Sequence, residues 1–215
     1  MKLAEYTLDF AGECFWLSTH KAMYWPKKQA LILADLHLGK AAHFRKNGIP
    51  VPTQIGQNDL ARLSFLLELY KPKQVIIVGD LVHAGHNNEV KAFKQLTGKF
   101  AETEFLLVKG NHDRISEELI AEMGIDHVCN TYQIENIFFN HIHSENDLKP
   151  TISGHLHPGI SLMLPTKKHI RLPCFVVGSH QLILPAFSEF TGLYTAKIFE
   201  NASYYAVHDS GIINI

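Results

Sequence analysis

Short apolar runs recur along the chain at Leu31 to Leu33, Val75 to Val78, Phe105 to Val108, Ile137 to Phe139, Cys174 to Val177 and Leu182 to Leu184. Their brevity, their β-branched and aromatic content and the lack of polar alternation predict strands buried on both faces. Between them the spacing changes to that of helices. Leu60, Leu63, Leu67 and Tyr70 recur at i, i+3, i+7 and i+10, and Lys71-Pro72 then supplies a stop. A second helix is expected from an Asn88 cap through Val90, Phe93 and Leu96 to Gly98, and a third from a Ser116 cap through Leu119, Ile120 and Met123 to Gly124. Strand and helix therefore alternate through the first 125 residues. Beyond about Tyr132 the helical spacing fades, and strand-like runs follow one another with Pro and Gly between them. The pattern predicts an α/β first half and a β-rich second half, packed as layered sheets with outer helices. No repeat, low-complexity tract or flexible linker interrupts it, so residues 1–215 read as a single domain.

Composition narrows the functional classes. A chain of 215 residues that is 46% hydrophobic and 19% charged can bury a full core. Its net charge of −1 supplies no global field toward nucleic acid or an anionic membrane, so affinity for a polyanion has to be local. No apolar run approaches the ~20 residues that span a bilayer, and Glu5, Asp9 and Glu13 interrupt the stretch where a signal peptide would be apolar. A cytoplasmic location and no membrane partner are expected. Cys14, Cys129 and Cys174 form no CxxC pair, which argues against a disulfide framework or a thiolate metal site. The anomaly is 14 histidines.

Polar residues gather where the predicted strands end. The strand before Asp35-Leu36-His37, that before Gly79-Asp80 and that before Gly110-Asn111-His112-Asp113 each run straight into such a cluster. So do those before Asn140-His141-Ile142-His143 and Gly154-His155-Leu156-His157. Ligands of open sheets bind in the crevice beyond the carboxyl ends of strands, and one crevice could therefore hold Asp35, His37, Asp80, Asn111, His141, His155 and His157. Carboxylate, amide oxygen and imidazole donors without thiolate suit divalent Mn, Fe, Zn, Ni or Co, and the set is too large for one ion. Two cations ~3.5–4 Å apart can clamp a phosphoryl group and acidify a bridging water, so that hydroxide is the nucleophile.

The ordered motifs DxH, GD, GNHD, H and GHxH resemble the calcineurin-like metallophosphoesterase superfamily over about residues 31 to 157. The resemblance implies a four-layer αββα sandwich of two mixed sheets flanked by helices. It implies two divalent ions, Mn first, with Fe, Zn, Ni, Co or Mg as alternatives. One would be held by Asp35, His37, Asp80 and His157 and the other by Asp80, Asn111, His141 and His155, with Asp80 as the bridge. His112 is then the proton donor to the leaving oxygen, a task imidazole suits near neutral pH. His83 resembles the histidine that partners the catalytic one in double-strand-break-repair nucleases of this superfamily. The run GDLVHAG differs from the GDxxDRG of protein phosphatases, and His112 differs from the Arg of UDP-diacylglucosamine hydrolases, so diesters are favoured. Tyr24-Trp25-Pro26, Asp35-Leu36-His37-Leu38-Gly39-Lys40, Phe44-Arg45, Gly48 to Pro52 and Leu184-Pro185-Ala186-Phe187 are similar to bacterial ligase-associated DNA damage response endonucleases. That subgroup implies a DNA or RNA nuclease linked to DNA repair, with a DNA ligase or helicase as functional associate.

Other residues have plainer readings. Lys40 and Arg45 are candidates for substrate phosphate contact within the basic run after the first motif. His43 and His86 lie on neighbouring loops, and exposed loop histidines are common. At the fourth strand end the ligand could be His141 or His143, with His141 preferred because it follows the apolar run directly. Asp113 either caps the next helix or steadies His112 through a hydrogen bond. Lys167, Lys168, His169 and Arg171 mark a polar turn or edge strand, and Phe187 and Phe190 belong to the core. The expectation is a metal-dependent phosphodiesterase. A phosphomonoesterase or nucleotide-pyrophosphate hydrolase of the same fold is the first alternative, and a non-catalytic metal-binding scaffold the second.

Overall fold

Two mixed sheets face each other across a shared apolar layer in the computed structural model, which describes residues 2–52, 54–85, 87–113, 116–144, 148–163 and 165–215. The first sheet runs in the order β1 (Glu5–Phe10), β2 (Glu13–Ser18), β3 (Met23–Trp25), β4 (Ala30–Leu33), β5 (Gln74–Val78), β6 (Glu104–Val108) and β7 (His127–Cys129). Pairing is antiparallel as far as β4 and parallel from there on. The second sheet is built from β8 (Thr131–Ile134), β9 (Ile137–Asn140), β10 (Thr151–Ser153), β11 (Gly159–Met163), β12 (His169–Val177), β13 (Gln181–Ile183), β14 (Ser203–His208) and β15 (Gly211–Asn214). Its central strands β9, β10 and β13 are parallel, and the flanking pairs are antiparallel. The expected pair of mixed sheets with flanking helices is the observed architecture.

The period of two along β4, β5 and β6 explains why these strands read as unbroken apolar runs. Ile32, Ile76, Val78, Leu106 and Val108 face the second sheet and meet Ile137, Phe139, Ile152, Phe175 and Leu182. Leu31, Leu33, Val75, Ile77, Phe105 and Leu107 face the helices α2 (Gln54–Tyr70), α3 (Asn88–Lys99) and α4 (Glu117–Glu122), which contribute Leu63, Phe93 and Ile120. Over the outer face of the second sheet, Cys174, Val176 and Ile183 are covered by β11 and by Ile198 and Phe199 of the segment before β14.

Helix boundaries follow local chemistry. In α2 the chain enters αL at Lys71 (φ 44°), since Pro72 disfavours the α conformation in the residue before it. In α3 the cap is Asn87, one residue before the expected Asn88, and its side chain accepts from the backbone N–H groups of Glu89 and Val90. The same helix continues past Gly98 to Lys99, because burial of Leu96 and Thr97 outweighs the ~1 kcal/mol propensity cost of glycine. Ser116 caps α4 as expected, and Gly124 takes the αL position after it (φ +76°). The expected alternation over the first 125 residues holds only from β4 onward. Before it lies the antiparallel run β1–β2–β3: β1 and β2 mix exposed and buried residues and so carry a weaker signal than the buried strands, and β3, though buried, is only 3 residues long. Among the described residues no helix follows α4, as the β-rich reading requires. Lys167 lies in the turn between β11 and β12, and Phe187 is fully buried.

Candidate metal centre

Five strand ends, those of β4, β5, β6, β9 and β10, place their polar residues within hydrogen-bonding distance of one another. Asp35, His37 and His157 form one group and Asp80, His141 and His155 a second, each with ligand atoms all within 4.8 Å of one another. In the first, His37 Nε2 lies 3.2 Å from His157 Nε2, which is 3.4 Å from Asp35 Oδ1. In the second, His141 Nε2 lies 3.4 Å from Asp80 Oδ2, 3.1 Å from Asn111 Oδ1 and 3.2 Å from His155 Nδ1. The groups are cross-tied, because the His155 N–H donates to Asp35 Oδ2 (2.9 Å) and the His37 N–H to the Asp80 carbonyl (2.9 Å).

The backbone is bent to bring this about. Asp35, His37, Asp80, His155 and His157 all have positive φ, between 50° and 69°. Residues with a Cβ pay a penalty there, of the kind that clusters at functional sites. Glycines make room around them. Gly79 (φ +81°) stands where a Cβ would overlap the His141 imidazole, and a Cβ on Gly154 would lie 2.7 Å from Asp35 Oδ2.

Electrostatics favour a charged Asp80 and, at His37 and His155, a neutral imidazole. Burial works against ionisation of Asp80, but the hydrogen bond and charge of His141, the His112 N–H and the charge of His37 hold its carboxyl well below the usual range. Burial first, then Lys40, pushes His37 down to about 3. Burial and the neighbouring His141 also lower His155. His141 moves up, because its hydrogen bond to Asp80 overcomes burial. Asp35 Oδ1 is enclosed and accepts no hydrogen bond among the described residues. A buried carboxylate oxygen without a donor, beside imidazole nitrogens 3.2 Å apart, is what a cation-binding group presents when its donors are neutral nitrogen and anionic oxygen. The residues present therefore fit a pair of divalent ions.

Around this centre, the His112 ring is exposed, 5.8 Å from that of His37 and 5.3 Å from that of His83, while His43 lies 5.6 Å from His83. Burial and then the charges of His112, Lys40 and His43 lower the His83 pKa. Lys40 begins α1 (Lys40–Lys46). Burial lowers its pKa, and the charges of Asp35 and Asp80 partly restore it. The Arg45 guanidinium donates to the carbonyls of Val51 (3.3 Å) and Pro52 (3.4 Å). At the alternative pair, His141 enters the centre, whereas the His143 ring packs against Phe199 (6.2 Å). Asp113 is not the cap of α4. Its carboxylate accepts from the N–H groups of Val82 and Gly110, both 2.9 Å, and so ties together the loops after β5 and β6. His86 lies outside the described residues.

The sequence reading took the segment after β13 as a motif string and as core, and gave Ser188 and Glu189 no part in the site. There the Phe187 N–H donates to Ala34 O (2.8 Å) and the Ser188 N–H to Asp35 O (3.2 Å), bracing the backbone of a candidate ligand. Asp59 and Arg62 of α2 hold this segment, since Asp59 accepts from the Glu189 N–H (3.2 Å) and Arg62 pairs with Glu189 (2.9 Å). The available signal was a carboxylate and a guanidinium at i, i+3 inside the apolar face of α2.

Comparison with known proteins agrees with this arrangement. The chain is similar to the crystal structure of Pseudomonas putida nuclease MPE, with a TM-score of 0.83 and 28% identity, covering 98% of this chain and 100% of that one. A phosphoesterase from E. coli, Yfce, is more distant at 16% identity and a TM-score of 0.46, covering 86% of this chain and 97% of that one. No curated protein matches. The family described as calcineurin-like phosphoesterase matches residues 29–155, the span that holds six of the side chains gathered here, with His157 two residues beyond it. By that match the chain belongs to the calcineurin-like phosphoesterase family.

Proposed function

We propose that this phosphoesterase is a dinuclear metal-dependent phosphodiesterase acting on nucleic acid. The observation that carries the reading is the pair of oxygen-and-nitrogen groups, in which the Asp80 of one contacts His141 directly and feels the charge of His37 in the other. Asp35, His37, Asp80 and His157 would hold one ion, and Asp80, Asn111, His141 and His155 the other. Bound there, two divalent ions supply Lewis acidity to the phosphoryl group and to the attacking water.

This chain's own residues do the rest. His112 stands exposed at the rim, where it delivers a proton to the departing oxygen. His83 orients that imidazole from 5.3 Å away, ring to ring. In this reading Lys40 and Arg45 of α1 contact non-bridging phosphate oxygens, which the charge interaction of Lys40 with Asp35 and Asp80 supports, while the Arg45 guanidinium is held by the carbonyls of Val51 and Pro52. The nuclease assignment draws its support from the likeness to the P. putida nuclease. A DNA-repair role, a DNA ligase or helicase as associate, and Mn as the working ion are finer parts of the same reading, supported by the motif strings alone. Residues 1–215 are taken as one domain, supported by a core layer that draws on both sheets.

The test is turnover of bis-p-nitrophenyl phosphate against p-nitrophenyl phosphate after chelation and reloading with Mn, followed by single-stranded DNA, duplex DNA, RNA and cyclic nucleotides. Diester turnover above monoester turnover, with cleavage of at least one nucleic acid, is expected. Equal or greater monoester turnover would replace the reading with a phosphomonoesterase, and tight metal without any turnover would point to a scaffold.

A further inference from the structure

Helix α1 turns one face toward the metal groups, and beyond its first residue that face is a row of rings. Lys40, His43 and Phe44 recur at i, i+3 and i+4 and so share a side of the helix. Lys40 interacts by charge with Asp35 and Asp80. The His43 ring lies 5.6 Å from that of His83, which is itself 6.0 Å from that of His37. Phe44 follows 6.3 Å from His43, and Phe190 meets Phe44 edge to face at 5.2 Å. The rings of His83, His43, Phe44 and Phe190 therefore form an unbroken path outward from a candidate ligand, His37.

The outer pair of this path is not core. Phe190 was expected there together with Phe187, but neither Phe44 nor Phe190 belongs to the apolar layers described above, and both are only partly buried. Phe190 is nevertheless held in place. The Ser188 N–H donates to Asp35 O (3.2 Å), the Glu189 N–H to the Asp59 carboxylate (3.2 Å) and the Phe190 N–H to Ser188 Oγ (3.1 Å). With His37 and Lys40, Phe190 also lines a narrow cleft between α1, α2 and the 188–190 segment. A ring fixed in this way beside a phosphate site offers a flat apolar surface that loses little freedom when something stacks on it.

We infer that Phe44 and Phe190 are a stacking platform for the ring system that the substrate carries next to its metal-bound phosphate, a nucleobase in the case of nucleic acid. Every base has a π face, so such a surface raises affinity for a strand without reading its sequence. Lys40, on the same face of α1, supplies the complementary charge for the phosphate. The inference rests on the phosphodiesterase reading above and adds to it the residues that tell an ester bearing a ring from one without.

The test compares KM, with Mn loaded, for an oligothymidylate and for an abasic strand of the same length. In the wild type the abasic strand is expected to have a KM ~10-fold higher, on the scale of one stacked base. The two KM values should converge in Phe44→Leu and in Phe190→Leu, and Phe44→Tyr, which restores a ring, should keep them apart. Leucine retains apolar bulk, so a purely structural role would leave the ratio unchanged. Equal KM values in the wild type, or a wild-type ratio in both leucine variants, overturn the platform while the nuclease reading stands. Should one leucine variant not fold, the other carries the comparison. If neither strand is cleaved, the nucleic-acid reading falls and the platform is decided on bis-p-nitrophenyl phosphate against methyl p-nitrophenyl phosphate, which share a leaving group and differ in whether the second ester bears a ring. A lower KM for the ring-bearing diester, lost in the leucine variants, then supports the platform. Equal KM values for the two diesters overturn it, and absence of turnover on every substrate overturns both readings.

Discussion

At the scale of single residues, the proposed function divides the centre into groups that would hold cations and groups that would move protons. Asp80 belongs to the second group and feels the charge of His37 in the first, with its carboxyl depressed, so Asp80→Asn is expected to deplete both ions, read by elemental analysis of the purified variant. Two ions per chain in that variant would refute the bridge. His112 contributes its backbone N–H to Asp80 Oδ1 (2.9 Å) while its ring faces outward. His112→Asn is therefore expected to retain metal and to lose ~10²-fold or more in turnover on poor leaving groups. Substrates with p-nitrophenolate as leaving group should be affected less. Lys21 gives a separate prediction in pH. Its pKa is about 7 in the folded protein and 10.5 when exposed, so between these values the unfolded chain holds the extra proton. Stability should then rise with pH from about 7 to about 10, and denaturant unfolding of Lys21→Met against wild type should show that increment missing from the variant.

At the scale of elements, the loops carry the site and the strands fix where the loops begin. The ligands at positive φ sit directly after buried strands, which suggests that strand pairing holds a conformation the loop sequences alone would avoid. Gly79→Ala should be poorly tolerated for two reasons, the αL backbone (φ +81°) and the overlap with His141. Loss of metal content together with a fall in stability of more than ~1 kcal/mol is expected, measured by elemental analysis and thermal unfolding. Much of this level was legible in the sequence. The apolar runs marked β4, β5, β6, β9 and β13, and Ser116 and Gly124 marked both ends of α4. The strands β1 and β2 were missed because their pattern mixes exposed and buried residues, and β3 because its buried run is only 3 residues long. The brace from Asp59 and Arg62 to the 187–189 segment was missed because its partners lie more than 120 residues apart.

At the scale of the whole molecule, the two sheets work as a clamp. One supplies Asp35, His37, Asp80, Asn111 and His112, the other His141, His155 and His157, and the layer around Ile76, Phe139 and Phe175 sets their separation. With a net charge of −1 the molecule as a whole does not attract a polyanion. Recognition of nucleic acid would rest on a few local cations. Cleavage of an oligonucleotide should accordingly weaken as salt rises, with a shallow slope for few phosphate contacts, while hydrolysis of bis-p-nitrophenyl phosphate stays nearly constant. A steep slope would indicate a larger basic surface than α1 provides.

The sequence by itself determined which residues could bind metal, since donor chemistry is a property of side chains, and where the buried strands lie, since burial on both faces demands continuous apolar runs. It also fixed their order, by which the family is recognised. Only the tertiary structure decided that His141 rather than His143 enters the centre, that Asp113 ties two loops instead of capping a helix, and that Lys21 is enclosed beside Arg62, Asp59 and Glu189. Each of these depends on distances between strand ends or loops far apart in the chain, and no local pattern encodes such distances.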